Sequence, residues 1–234
     1  MKTRSSKLLA LSLAMIAFGG LQSGVAQAAD RYIAVSASGT VKVKPDTVRL
    51  NATVSVVNAT NKDALAGASA SAAKVRAALL ANGITAQYIK STSLTVFPEY
   101  NYTADKGSVL TGYRASQSFE IIIRNAANAG VVVDAVVAST DNSLSIDGVT
   151  PFVYDNTIAS QSARTAAVKS AKSKALSYAK LLGVSLGKIV SLEESTASNP
   201  YPVMMAMAKS DAGATQIDLG QQDLTISITT RWAL

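Results

Sequence analysis

The chain has 234 residues, no histidine, no cysteine, a formal charge of +7 and 6% aromatic residues. Without imidazoles or thiols it cannot assemble Ser-His-Asp or Cys-His nucleophiles, thiol redox pairs, c-type haem attachments or ordinary zinc sites. The positive excess is mild and dispersed, and aromatics do not interleave with it on one face, which argues against nucleic-acid binding.

Lys2, Arg4 and Lys7 precede an apolar run from Leu8 to Phe18, and Val25-Ala26-Gln27-Ala28-Ala29 follows as a small-residue cleavage pattern. The run is short of the ~20 residues a spanning helix needs. Residues 1–28 are therefore expected to be a Sec-type signal peptide cleaved after Ala28. The mature chain, 29–234, is then exported to the periplasm or secreted and is not an integral membrane protein. With no disulfide staples, core packing must hold it together.

From Tyr32 to Lys44 the chain reads as a strand, turned at Pro45-Asp46 into a second strand whose Val48, Leu50, Ala52, Val54 and Val56 alternate with polar residues. The two are expected to pair as a hairpin. Thr60-Asn61-Lys62-Asp63 matches a capping box, and Leu65, Ala68, Ala72, Val75 and Leu79 follow at helical spacing to a stop at Asn82-Gly83. A strand over 88–97, a polar loop from Pro98 to Ser108 and a strand over 110–124 come next. Ala129, Val132, Val133, Val136 and Val137 share one helical face, which favours a helix over 128–140 despite the β-branched run. A short strand to Tyr154 with a bulge at Gly148, a long helix over 157–182 ending at Gly183, a strand over 188–196, a Pro- and Met-containing loop and a final alternating strand around Leu224, Ile226 and Ile228 complete the chain. Each half, about 31–125 and 144–233, thus reads β-α-β-β. The expected class is α+β, with long helices on one face of a mixed, largely antiparallel sheet.

Leu110-Thr111-Gly112-Tyr113-Arg114-Ala115-Ser116, then Ala163-Arg164-Thr165-Ala166-Ala167-Val168, Lys174-Ala175, Tyr178-Ala179 and Leu182-Gly183-Val184-Ser185-Leu186-Gly187-Lys188-Ile189 form an ordered set that resembles the SIMPL domain family. Gly39 and the Pro45-Asp46 turn fit the same pattern, so the resemblance covers nearly all of the mature chain. It implies a relation to bacterial periplasmic immunogenic and oxidative-stress defence proteins, some of which form large hollow homo-oligomers. A mammalian relative is linked to a kinase in inflammatory signalling, a role that an exported chain does not fit. The family supplies no established catalytic residue, and its motif glycines and alanines look structural.

Met204, Met205 and Met207 are soft ligands that could hold Cu(I) or consume oxidants. An adaptable apolar contact explains them more simply. Tyr100 and Tyr102, with Tyr201 in the corresponding loop of the second half, suit a subunit interface better than a sugar platform. Arg164, Lys169, Lys172, Lys174 and Lys180, with no acid among them, fit a solvated helix face, an anionic surface being the alternative. Glu193 and Glu194, adjacent on a strand, point to opposite faces and cannot work as an acid/base pair. Asp46 belongs to its turn. No cofactor motif is present. The residues thus point to a non-enzymatic, self-assembling envelope protein, with any oxidative-stress role indirect. The alternatives are a module binding an envelope glycan or small molecule and, less favoured, a carboxylate-dependent enzyme acting on polysaccharide.

Overall fold

The computed structural model describes residues 31–196 and 215–234. Along them run β1 (Tyr32–Val43), β2 (Thr47–Asn58), α1 (Asn61–Ala81), β3 (Ile89–Thr103), β4 (Gly107–Ile123), α2 (Ala129–Ser139), β5 (Leu144–Phe152), α3 (Thr157–Leu181), β6 (Ile189–Thr196) and β7 (Gln222–Ala233). The fold is α+β. Its strands form a four-stranded sheet of order β3-β4-β2-β5 and a three-stranded sheet of order β1-β7-β6. Every ladder in both is antiparallel.

β1 and β2 do not form the expected hairpin. β1 pairs along its whole length with β7, whereas β2 lies between β4 and β5. The cause is the link between them. Pro45 has a fixed φ and no amide hydrogen to donate. Asp46 is anchored outward, its carboxylate accepting from the Tyr154 amide at 3.0 Å and the Thr47 hydroxyl at 2.8 Å, and its carbonyl from the Ala126 amide at 3.0 Å. These bonds tie the turn to the ends of β4 and β5, so the chain crosses from one sheet into the other instead of folding back. Alternation of apolar residues specifies a strand's buried face and leaves its neighbour open.

The helices follow their sequence patterns closely. Thr60 caps α1, its hydroxyl accepting from the Asp63 amide at 3.1 Å and donating to the Asp63 carboxylate at 2.7 Å. The buried stripe is Ala64, Ala68, Ala72, Val75 and Leu79, so Ala64 takes the place expected for Leu65, which is exposed. Gly83 supplies the left-handed stop at φ +80°. α2 buries Ala129, Val132, Val133 and Val136 against the four-stranded sheet and leaves Val137 exposed, contrary to its expected place on that face. Beside Gly148 the β2–β5 register shifts, which is the expected bulge. The segment expected as a loop from Pro98 to Ser108 is instead the end of a hairpin, with only residues 104–106 turning. Pro98 is tolerated there because β3 is an edge strand and its missing N–H removes no ladder bond from a central position.

Two cores result. Leu50, Val54, Leu79, Phe119, Ile121 and Val136 lie in the larger one, between the four-stranded sheet and α1 with α2. In the smaller, Ala163, Ala167, Ala171, Ala175 and Ala179 of α3 press on Ile33, Val35, Ala37, Ile226 and Ile228. A stripe of methyl groups repeated every fourth residue lets helix and sheet backbones approach closely. The returning chain is clipped to α2, where the Asp134 carboxylate accepts from the Thr215 amide at 3.0 Å and hydroxyl at 2.5 Å.

Candidate interaction surface

β2 runs beside β4 only as far as the Asn58–Tyr113 pair. Beyond it, β3 and β4 continue as a two-stranded ribbon in which Tyr100 faces Leu110, Asn101 faces Val109 and Tyr102 faces Ser108. The ribbon's root is fixed. Arg114 donates to the Glu99 carboxylate at 2.5 Å and to the Ser55 hydroxyl at 3.1 Å, and Thr111 donates to the Glu99 carbonyl at 2.9 Å. Gly112 sits at φ +153° with the Asn58 carbonyl against its α-carbon, leaving no room for a side chain.

Alternation along β3 puts Tyr100 and Tyr102 on one face, and the register adds Leu110. These side chains are 57%, 79% and 47% exposed. Among the described residues, the apolar face of this sheet therefore continues past the end of α1 without a cover. The sequence had singled out both tyrosines, and the structure brings them together. Tyr201, Met204, Met205 and Met207 lie outside the described residues.

The remaining candidates are accounted for locally. Glu194 receives the Arg164 guanidinium through bonds of 2.8, 3.0 and 3.1 Å, which hold its carboxyl below the usual range, while Glu193 is exposed. Lys174 donates to the Ser36 carbonyl at 2.8 Å, tying α3 to β1. Lys169, Lys172 and Lys180 stand in solvent. Asp46 is held acidic by the Tyr154 amide within its turn. Among the described residues no three carboxylates come together as a metal site would need. Sequence reading passed over one cluster. Arg124 stacks on Tyr154 with its guanidinium carbon 3.3 Å from the ring centroid, and Tyr88 lies at 5.9 Å on the same cation. No spacing rule signals such a grouping, because its members come from three separate strand ends.

A family model described as "SIMPL: Protein of unknown function (DUF541)" matches residues 33–232. The chain is 29% identical to the 26 kDa periplasmic immunogenic protein of Brucella melitensis over 246 aligned positions, covering 97% of each. It is 31% identical over 171 positions to the uncharacterized protein YggE of Edwardsiella ictaluri, covering 68% of this chain and 70% of that one. YggE of Escherichia coli K12 is 27% identical over 207 positions, with 86% and 82% covered.

Proposed function

From the premise that this chain belongs to the SIMPL family, we propose that it is an exported, non-enzymatic protein of the cell envelope that works by self-assembly. The observation that carries this reading is the ribbon. A two-stranded hairpin is marginally stable in water, and one that also exposes Tyr100, Tyr102 and Leu110 together gains most by packing against another subunit. Export rests on the leader pattern of residues 1–28 and on the similarity to a Brucella protein named as periplasmic. On this reading residues 29–234 form one SIMPL domain of two related halves, joined by the helix at 128–140.

A contribution to oxidative-stress tolerance would be indirect, by scaffolding or by sacrificial oxidation of Met204, Met205 and Met207, since the chain has no thiol or imidazole to turn over. The test is the mass of the purified mature protein by light scattering at micromolar concentration. A multimer that loses mass on Tyr100→Ser/Tyr102→Ser, with its circular dichroism retained, is the expected result. A wild-type protein that is strictly monomeric refutes assembly.

A further inference from the structure

α3 buries only its alanine stripe, so most of its surface is bare. It runs antiparallel to β1, as shown by Ala163 against Gly39 near one end and Lys174 on Ser36 further along. Its C-terminal turn therefore arrives beside the first residue of β1. β6 starts at the same end, because Ile189 lies opposite Trp232 and Tyr32 opposite Ala233 on the shared strand β7. Hydrogen bonds from the Gly187 amide to the Ala233 carbonyl at 2.8 Å and from the Ala233 amide to the Lys188 carbonyl at 2.9 Å close that end.

The residues gathered there have a distinctive chemistry. Leu181 is 79% exposed, Leu182 64%, Val190 63% and Tyr32 49%. Lys180, Lys188 and Arg231 belong to the same end, all exposed, and Arg231 lies over the Tyr32 ring at 5.3 Å on the sheet face away from α3. No acidic side chain occurs between Asn156 and Leu192.

We propose that this end of the three-stranded sheet docks on an anionic lipid bilayer. Leu181, Leu182, Val190 and Tyr32 enter the headgroup boundary, and the flexible stems of Lys180 and Lys188 lie along the apolar surface while their ammonium groups meet lipid phosphates. Among the described residues no helix is long and apolar enough to cross a membrane, so the contact is peripheral. Charge complementarity selects a lipid surface over a second copy of the chain, since two copies would bring their exposed lysines together. Assembly through the ribbon uses different residues, and the two proposals stand or fall separately.

The purified mature chain is centrifuged with sucrose-loaded vesicles of phosphatidylglycerol and phosphatidylcholine in equal parts, and with phosphatidylcholine alone. It should pellet with the anionic vesicles, less with the neutral ones, and less as salt is raised. Leu181→Ser/Leu182→Ser should lower the partition coefficient on the order of tenfold from lost apolar insertion. Lys180→Gln/Lys188→Gln should lower it on the order of thirtyfold. Lys62→Gln/Lys74→Gln, an equal charge change at exposed sites on α1, should keep wild-type binding with the fold intact by circular dichroism. The proposal is overturned by failure of the wild type to pellet, by equal pelleting with neutral vesicles, or by equal losses in the two lysine pairs. A drop in oligomer mass on Leu181→Ser/Leu182→Ser also overturns it, assigning the patch to a second copy.

Discussion

Gly39 of β1 and Ala163 of α3 meet backbone to backbone: a Cβ on Gly39 would fall inside the Ala163 carbonyl oxygen, 2.5 Å from the Ala167 amide nitrogen and 2.9 Å from the Ala166 Cβ. None of these atoms can swing aside as the tip of a flexible side chain could. Gly39→Ala must therefore push the whole helix off the sheet and loosen the smaller core. The expected cost is about 3 kcal/mol, read as a lower urea midpoint at unchanged slope. Gly148→Ala is the matched control, since its nearest neighbour is the Asn51 amide nitrogen at 4.0 Å. Equal midpoints for the two variants would show that helix and strand are not in this contact.

That contact also marks what the residues could and could not disclose beforehand. The alanine repeat of α3 and the mixed stripe of α1 are visible as spacings because helical burial is set locally, every third or fourth residue. Sheet membership is not local. β1 and β2 alternate equally well, yet the bonds that separate them come from Tyr154 and Ala126, 108 and 80 positions from Asp46. At the ribbon the tyrosines were visible as candidates, but Pro98 and Gly107 hid the strand period that places Tyr100 and Tyr102 on one face. For α3, the basic run taken alone reads as a solvated helix face, with an anionic surface as the alternative. Only the three-dimensional arrangement adds Tyr32 and Val190 to Leu181 and Leu182.

Acid should destabilise the protein through several carboxylates at once. Asp46 is depressed by the Tyr154 amide, Asp134 by the Thr215 hydroxyl and amide, Asp155 by the Thr157 hydroxyl and amide, and Glu194 by Arg164. Each has a folded pKa below its unfolded value of about 4. Each stabilising contribution is therefore complete above pH 4 to 5, and is lost as pH falls through the folded value. The melting temperature should be flat near neutrality and drop steeply below about pH 4. Asp134→Asn should lower the neutral-pH melting temperature and soften that drop. An unchanged acid limb would remove the Thr215 clip from the account.

The stacked cation offers a separable test on the larger core's rim. With Arg124 3.3 Å from the Tyr154 centroid, the pair should contribute about 1 kcal/mol beyond what either residue contributes elsewhere. A double-mutant cycle of Arg124→Gln and Tyr154→Leu measures that coupling directly. Arg124 also lies near Asp46 and Asp155 and helps keep them ionised. Arg124→Gln should accordingly move the acid limb upward in pH as well. Additive single effects in the cycle would mean the stacking carries no energy of its own.

Gly112 joins backbone geometry to assembly. Its φ of +153° is poorly suited to an L side chain, and an added Cβ would stand 2.6 Å from the Asn58 carbonyl oxygen at the point where β2 leaves β4. Ala64, Ala68 and Ala115, with Val56 and Tyr113 packed against them, form a small satellite cluster in this part of the sheet, separate from the larger core. Gly112→Ala should therefore re-aim the ribbon that begins there more than it disturbs the larger core. The expected phenotype is reduced oligomer mass with a melting temperature lowered by only a few degrees, a cost of about 1 kcal/mol. Gly39→Ala should show the reverse order, losing stability before mass. If Gly112→Ala assembles like the wild type while Tyr100→Ser/Tyr102→Ser does not, the tyrosines tolerate a range of ribbon angles, and contact chemistry rather than fixed geometry governs the interface.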